Sequence, residues 1–226
     1  MGEMVEFASN GGKASGYLAT PANGQGPGIL VIQEYWGLVD HIKDVADRFA
    51  AEGFVALAPD MYHGATATEP DEAGKLMMSM NLEQAAKDLS GAVTLLQERS
   101  GQKEIGVVGF CMGGMLSWLL ACNRPDKVQA VVSFYGFPQG EMEPDWSQLD
   151  APVRGHMAEN DDFFGPEGAR SLESKLQGMG KDVQLTVHEG TGHAFMGPHN
   201  ALGTLNEKLA EKIWPEVTAF LKTKVV

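Results

Sequence analysis

Cysteine is scarce in this chain: Cys111 and Cys122 are the two thiols in 226 residues. Two cysteines do not make a disulfide framework, and a working thiol needs a reducing compartment, which predicts a cytoplasmic protein. Long uncharged apolar runs are missing too, so no membrane span is expected. Residues 1–20 contain Glu3 and Glu6 and lack a basic start followed by an apolar block, so no signal peptide is predicted. Cations are also few. Against 30 Asp and Glu stand 17 Lys and Arg, a net charge of -13 that argues against nucleic acid, anionic membranes and polyanionic substrates. No metal-ligand cluster, phosphate loop or basic patch is visible, so neither a metal nor another cofactor is predicted. Repeats, linkers and low-complexity segments are lacking as well, and residues 1–226 read as a single domain around one large core.

What the chain does have is the stretch from Ile105 to Ala121. Ile105-Gly106-Val107-Val108 is short, apolar and β-branched, the signature of a buried strand. Met115-Leu116-Ser117-Trp118-Leu119-Leu120 is apolar on most sides and free of proline, which predicts a buried helix. Between them lies Gly109-Phe110-Cys111-Met112-Gly113-Gly114. A strand that becomes a helix within one residue forces that residue into a strained conformation and lifts its side chain above the sheet edge. The flanking glycines let both backbones pass. Cys111 also stands at a helix N-terminus, where the dipole favours negative charge. Most free cysteines are small buried hydrophobes, and Cys122, with no glycine frame, reads as one. Cys111 reads as a nucleophile.

The remaining pattern alternates strand and helix. Asn10-Gly11-Gly12 predicts a hairpin between an opening pair of strands. Ile29–Ile32 predicts a central strand, and Asp40 is expected to cap a helix that runs to Gly53. Phe54–Ala58 is the next strand, residues 61–75 read as loop, and a helix is expected from Leu82 to Gly101. Further strands are expected at Val128–Phe134, Pro152–Met157 and Val183–Val187. Helices are expected after Pro166 and at the C-terminus, the last kinked at Pro215. This order predicts an α/β fold: a mostly parallel sheet with helices on both faces, an N-terminal antiparallel hairpin and no cap domain.

Working residues in such sheets gather at the carboxyl ends of strands. A thiol nucleophile needs a base, and the base needs an orienting acid. His193, in the glycine-rich loop Gly190–Phe195 after the outer strand, is the best placed of six histidines. His188 falls inside the strand pattern, and His41 and His199 read as solvated. Asp161 or Asp162, after the strand ending at Met157, would supply the acid.

Gly109–Gly114, Gln33-Glu34-Tyr35-Trp36-Gly37, Ala58-Pro59-Asp60-Met61-Tyr62, Asp161-Asp162-Phe163 and Gly192-His193-Ala194-Phe195 together resemble the dienelactone hydrolase family of the α/β-hydrolase superfold. The resemblance spans nearly the whole chain. It implies a Cys-His-Asp triad, with Cys111 as nucleophile, His193 as base and Asp161 rather than Asp162 as acid. It further implies that Glu34 holds the resting thiol, and that the backbone N–H groups of Tyr35 and Met112 form an oxyanion hole.

Two departures from the family pattern bear on the substrate. Two arginines that grip a substrate carboxylate in its members are replaced here by His63-Gly64 and Met196-Gly197. The anion-binding half of the pocket is therefore missing, which turns the expectation towards uncharged substrates. Trp36, His63, Phe163, Phe195 and Met196 are the candidate pocket residues. The resemblance thus implies a cysteine hydrolase of carboxylic esters or lactones that acts on small molecules, as a monomer or weak homodimer. The alternative is a redox- or ligand-sensing thiol protein on an idle hydrolase scaffold.

Overall fold

The β-branched apolar runs assemble into one sheet. The computed structural model describes residues 2–10, 12–198 and 202–225, so Gly11 of the predicted hairpin turn and His199 lie outside the described residues. β1 (Glu3–Ser9) and β2 (Gly12–Ala19) pair antiparallel, and β2 runs antiparallel to β4 (Val55–Pro59). From β4 the sheet is parallel through β3 (Gly28–Ile32), β5 (Ile105–Phe110), β6 (Val128–Phe134), β7 (Val153–Asn160) and β8 (Val183–Gly192). The spatial order is β1-β2-β4-β3-β5-β6-β7-β8. Every residue of β3, β4 and β5 is buried, as parallel strands covered on both faces require.

Helices supply the two covers. α1 (Asp40–Ala51) and α6 (Glu207–Lys224) meet through Phe49 and Trp214, whose ring centroids are 4.6 Å apart. α3 (Leu82–Ser100) and α4 (Met112–Asn123) also touch, Arg124 just beyond α4 donating to Ser90 Oγ at 2.6 Å. Adjacent strand residues separate the two pairs. A Cβ at Gly28 would meet Leu96 of α3, whereas Ile29 packs beside Gly106 and Leu221 of α6. Successive side chains of a strand point to opposite faces, so the pairs cover opposite faces. α5 (Pro166–Gly178) packs on β7 and β8. The expected α/β-hydrolase arrangement is therefore present. The segment between Gly136 and Asp150 holds two 3₁₀ turns, Gly140–Met142 and Trp146–Gln148. Among the described residues no helix is long and apolar enough to cross a membrane.

Two local expectations need correction. Asp40 does not cap α1: Val39 is the cap residue, and Asp40 opens the first turn, where its charge meets the positive helix end. Part of the predicted 61–75 loop is helical, because α2 occupies Pro70–Ser79 with Pro70 in its first turn. Only Ala73 of α2 is buried, so no apolar stripe advertises it. α6 runs on through Pro215 to Lys224 as one element.

Candidate active site

The turn from β5 into α4 depends on backbone contacts that no side chain could share. Cys111 sits between them at φ 54° and ψ -117°, a left-handed conformation that L-residues adopt only under constraint. A Cβ at Gly109 would lie 2.0 Å from the carbonyl oxygen of Gly113, and one at Gly113 would lie 2.3 Å from that of Ile32. Both positions therefore exclude any side chain. The Cys111 N–H donates to the carbonyl of Phe134 at 3.0 Å, and its carbonyl accepts from Met115 N–H at 3.1 Å. These bonds hold the corner while leaving the thiol directed away from the sheet.

His193 is the first residue after β8, and Asp161 the first after β7. His193 Nε2 lies 3.1 Å from Cys111 Sγ, and its Nδ1 lies 2.8 Å from Asp161 Oδ2. The other oxygen of Asp161 accepts the N–H groups of Phe163 at 2.9 Å and Phe164 at 3.0 Å. That satisfied carboxylate separates Asp161 from exposed Asp162, an alternative the residues alone left open. Rings of Tyr135, Phe163 and Phe164 stand 5.1, 5.2 and 5.9 Å from the imidazole and fix its plane. Burial opposes charge on His193, but its bonds to Asp161 and Cys111 outweigh burial and push its pKa up to about 10. For Asp161, burial acts upward, yet the His193 bond and the two amides bring the carboxyl below its ordinary range. The three groups can hold an imidazolium between a carboxylate and a sulfur. They can also move a proton along one line.

Glu34 follows β3 and is buried at the same end of the sheet. In place of the expected bond to the thiol, its Oε1 accepts the Tyr135 hydroxyl at 2.9 Å, and Cys111 Sγ is paired with His193. Oε2 has no hydrogen-bond partner. Burial raises the Glu34 carboxyl, opposed by Tyr135 and His193, and Tyr135 itself is held far above the usual phenol range by burial and by Glu34. Tyr135 was not predicted. The signal available was its position just past β6, at the same carboxyl edge as the others, where it takes φ 37°. Tyr35 and Met112 both line the cleft above Cys111.

That cleft has a volume of about 620 Å³. Of the predicted pocket residues, Phe163 lines it and four lie elsewhere. Trp36 packs with Ala67 and Ala73 in a small separate cluster, and Phe195 is fully enclosed against Tyr135 and His188. Met196 belongs to the main core. His63 turns away, its Nε2 3.0 Å from Asp88 Oδ2 in a smaller pocket. His41, expected to be solvated, is half-buried with its ring 6.3 Å from Phe110. Cys122 is buried, and burial pushes its thiol up to about 12, as a core cysteine requires. A larger groove of about 830 Å³ lies between β1, α3 and α4 and is lined by none of Cys111, Asp161 and His193, so size does not single out this cleft.

Under the site the strand ends carry a ladder of rings, one per strand. Phe110, Phe134, His156 and His188 succeed one another at 4.8, 5.1 and 5.3 Å, each pair stacked. Burial, helped by His188, pushes His156 down to about 3, so the ladder is uncharged at that position near neutral pH.

Comparison with known proteins agrees with the fold. Residues 14–225 match the model of the Dienelactone hydrolase family. The chain is 40% identical over 230 residues to Protein usf of Aquifex pyrophilus, covering 98% of each. It is 36% identical over 231 residues to a protein of Aquifex aeolicus named "Putative carboxymethylenebutenolidase", covering 99% of each. A crystal structure from Klebsiella pneumoniae, described as a "putative dienelactone hydrolase", superposes with a TM-score of 0.86 at 25% identity. It covers 98% of this chain and 99% of its own.

Proposed function

The chain belongs to the dienelactone hydrolase family, and we propose that it hydrolyses neutral carboxylic esters or lactones through Cys111. In this reading Cys111 Sγ attacks the substrate carbonyl carbon, and the carbonyl electron pair moves onto oxygen. The backbone N–H groups of Tyr35 and Met112 receive that oxyanion. Its collapse breaks the bond to the alkoxide, which takes a proton from His193 Nε2. A water molecule then gives its proton to His193 and attacks the thioester carbonyl. The carboxylic acid departs and the thiolate–imidazolium pair is restored. Asp161 keeps the imidazole in the plane and tautomer that this shuttle needs.

The observation that carries the reading is the hydrogen-bonded line Asp161–His193–Cys111, closed at 2.8 and 3.1 Å. A redox-sensing role for Cys111 has less support, because the residue is only 9% exposed and its thiol is already engaged by a base. Preference for neutral substrates is supported by the cleft wall, which has no Lys or Arg among the described lining residues and carries the Asp162 carboxylate. The test is hydrolysis of a neutral ester by wild type and Cys111→Ala. Turnover surviving in a folded Cys111→Ala protein would overturn the proposal.

A further inference from the structure

Six of the chain's 12 methionines, Met77, Met78, Met80, Met112, Met115 and Met142, line the cleft that opens on Cys111. They arrive from three separate segments: α2 and its exit, the start of α4, and the first 3₁₀ turn after β6. Phe163, Phe164, Leu82 and Leu202 extend the same apolar wall. α2 buries only Ala73 and leaves Met77 40% and Met78 86% exposed. It rests on Trp36 through Ala73 and Leu76, and Trp36 stands 4.5 Å from the ring of Tyr35. The methionine wall is thereby fastened beside the reacting thiol.

Size and chemistry both bear on what such a cleft holds. At about 620 Å³ it falls inside the roughly 300–1,000 Å³ of sites that enclose drug-sized ligands. A short acyl chain with a small alcohol would leave most of that volume to water against apolar walls. Methionine is unbranched, turns about three bonds, and offers a polarizable sulfur that makes favourable contacts with aromatic rings. A set of them shapes itself around a large, flat, apolar group better than branched side chains do. Sequestering such a group from water gains about fourfold in affinity per methylene equivalent.

Building on the hydrolase reading above, we infer that the substrate is a neutral ester or lactone bearing a bulky aromatic group. Met77, Met78, Met80, Met115 and Met142 are the specificity-determining contacts for that group. Met112 stands apart, since its backbone belongs to the proposed oxyanion hole.

Two measurements test this. The first compares kcat/KM of the wild-type enzyme for ethyl acetate with that for ethyl 2-naphthylacetate and for 2-naphthylmethyl acetate, which place the ring on the acyl or the alcohol side. At least one naphthyl ester should exceed ethyl acetate by about tenfold or more. Met78→Ser and Met142→Ser should each shrink that ratio; Met78 is exposed enough for its variant to fold. The second uses methyl-labelled methionine in Cys111→Ala, titrated with ethyl 2-naphthylacetate and followed by NMR. Ring-current shifts should appear at Met77, Met78, Met80, Met115 and Met142 and not at Met4, Met157 or Met179. Ratios below about threefold for both esters, or methyl shifts confined to methionines outside the cleft, would overturn the inference while Cys111-dependent hydrolysis of ethyl acetate remained. Ester turnover that persists in Cys111→Ala would overturn the hydrolase reading and this inference with it.

Discussion

Tyr135 donates its phenolic proton to Glu34 Oε1 at 2.9 Å across 101 residues of sequence, and the second carboxyl oxygen of Glu34 has no hydrogen-bond partner. A buried carboxyl with one oxygen unmatched disfavours ionisation, and its pKa is raised by burial. A Cβ at Gly197 would come within 3.5 Å of that free oxygen, so the place where an arginine is expected from the family pattern faces this carboxyl.

Stability should record the unmatched oxygen. Because the folded-state pKa of Glu34 lies above the unfolded value, folding takes up a proton, and stability falls as pH rises from the ordinary carboxyl range through the folded value. Glu34→Gln keeps an acceptor for Tyr135 and cannot ionise. It should melt above wild type at about pH 8 by roughly 2–4 °C, equivalent to about 1 kcal/mol, with the difference shrinking near pH 4. Parallel melting curves at both pH values would contradict this account of Glu34.

His193 acts in the same direction over a higher pH window. Its pKa is raised to about 10, so its contribution to stability is complete below the unfolded value of about 6.5 and disappears as pH climbs through about 10. Wild type should therefore lose melting temperature between about pH 7 and pH 10 more steeply than Asp161→Asn, which lacks the larger of the two bonds that raise it. Imidazole NMR should place the His193 pKa lower in Cys111→Ala than in wild type. An unchanged titration would mean that the thiol and imidazole do not share the proton.

Replacement of each triad member should separate the roles. Cys111→Ala and His193→Ala should lower kcat/KM by several orders of magnitude, and Asp161→Asn by less, on the order of 10²–10⁴. Asp162→Asn should stay within about threefold, because Asp162 makes no bond to His193. Cys122→Ala should hydrolyse esters like wild type. Steady-state assays on one neutral ester decide all five, and reversed behaviour of the two aspartates would reassign the acid.

Charge discrimination should follow from the missing cations. A carboxylate entering the cleft loses hydration with no Arg or Lys to replace it. A neutral aryl ester should thus exceed a carboxylate-bearing lactone of similar size in kcat/KM by about tenfold or more. Gly197→Arg should narrow that gap. Arg at position 64 should do less, since Gly64 takes φ +96°, where an L side chain is strained. Preference of wild type for the anionic lactone would refute this.

The readable and unreadable parts of the site differ in physical kind. Cys111 was legible because a strand–helix corner with no room for side chains must be written in glycine, and Gly109 and Gly113 mark it. His193 and the pair Asp161 and Asp162 were legible as residues following strands, since parallel strands of one sheet end along one edge, whereas the choice of Asp161 and the singling out of Glu34 came from the family resemblance. Tyr135 falls just past the strand expected to end at Phe134, but a buried ring there reads as core; its turned backbone carries the hydroxyl to Glu34. Of the three pocket aromatics Phe163 was placed correctly and two were misjudged, because a ring in a loop can face either way. Trp36 and Phe195 face inward, and the cleft wall comes from α2, whose single buried residue leaves no periodic trace.

The route from Cys111 to His193 spans 82 residues and crosses three further strands, each needed to carry the next loop to its place. During synthesis the thiol therefore emerges well before the base that will engage it. Parallel pairings across such separations form slowly, because each closes a long loop before any contact rewards it. Until β8 docks, Cys111 has no His193 beside it and β7 is the open edge of the sheet, the kind of edge that invites pairing with other chains. The last strand of the chain is the one that brings the imidazole to the thiol.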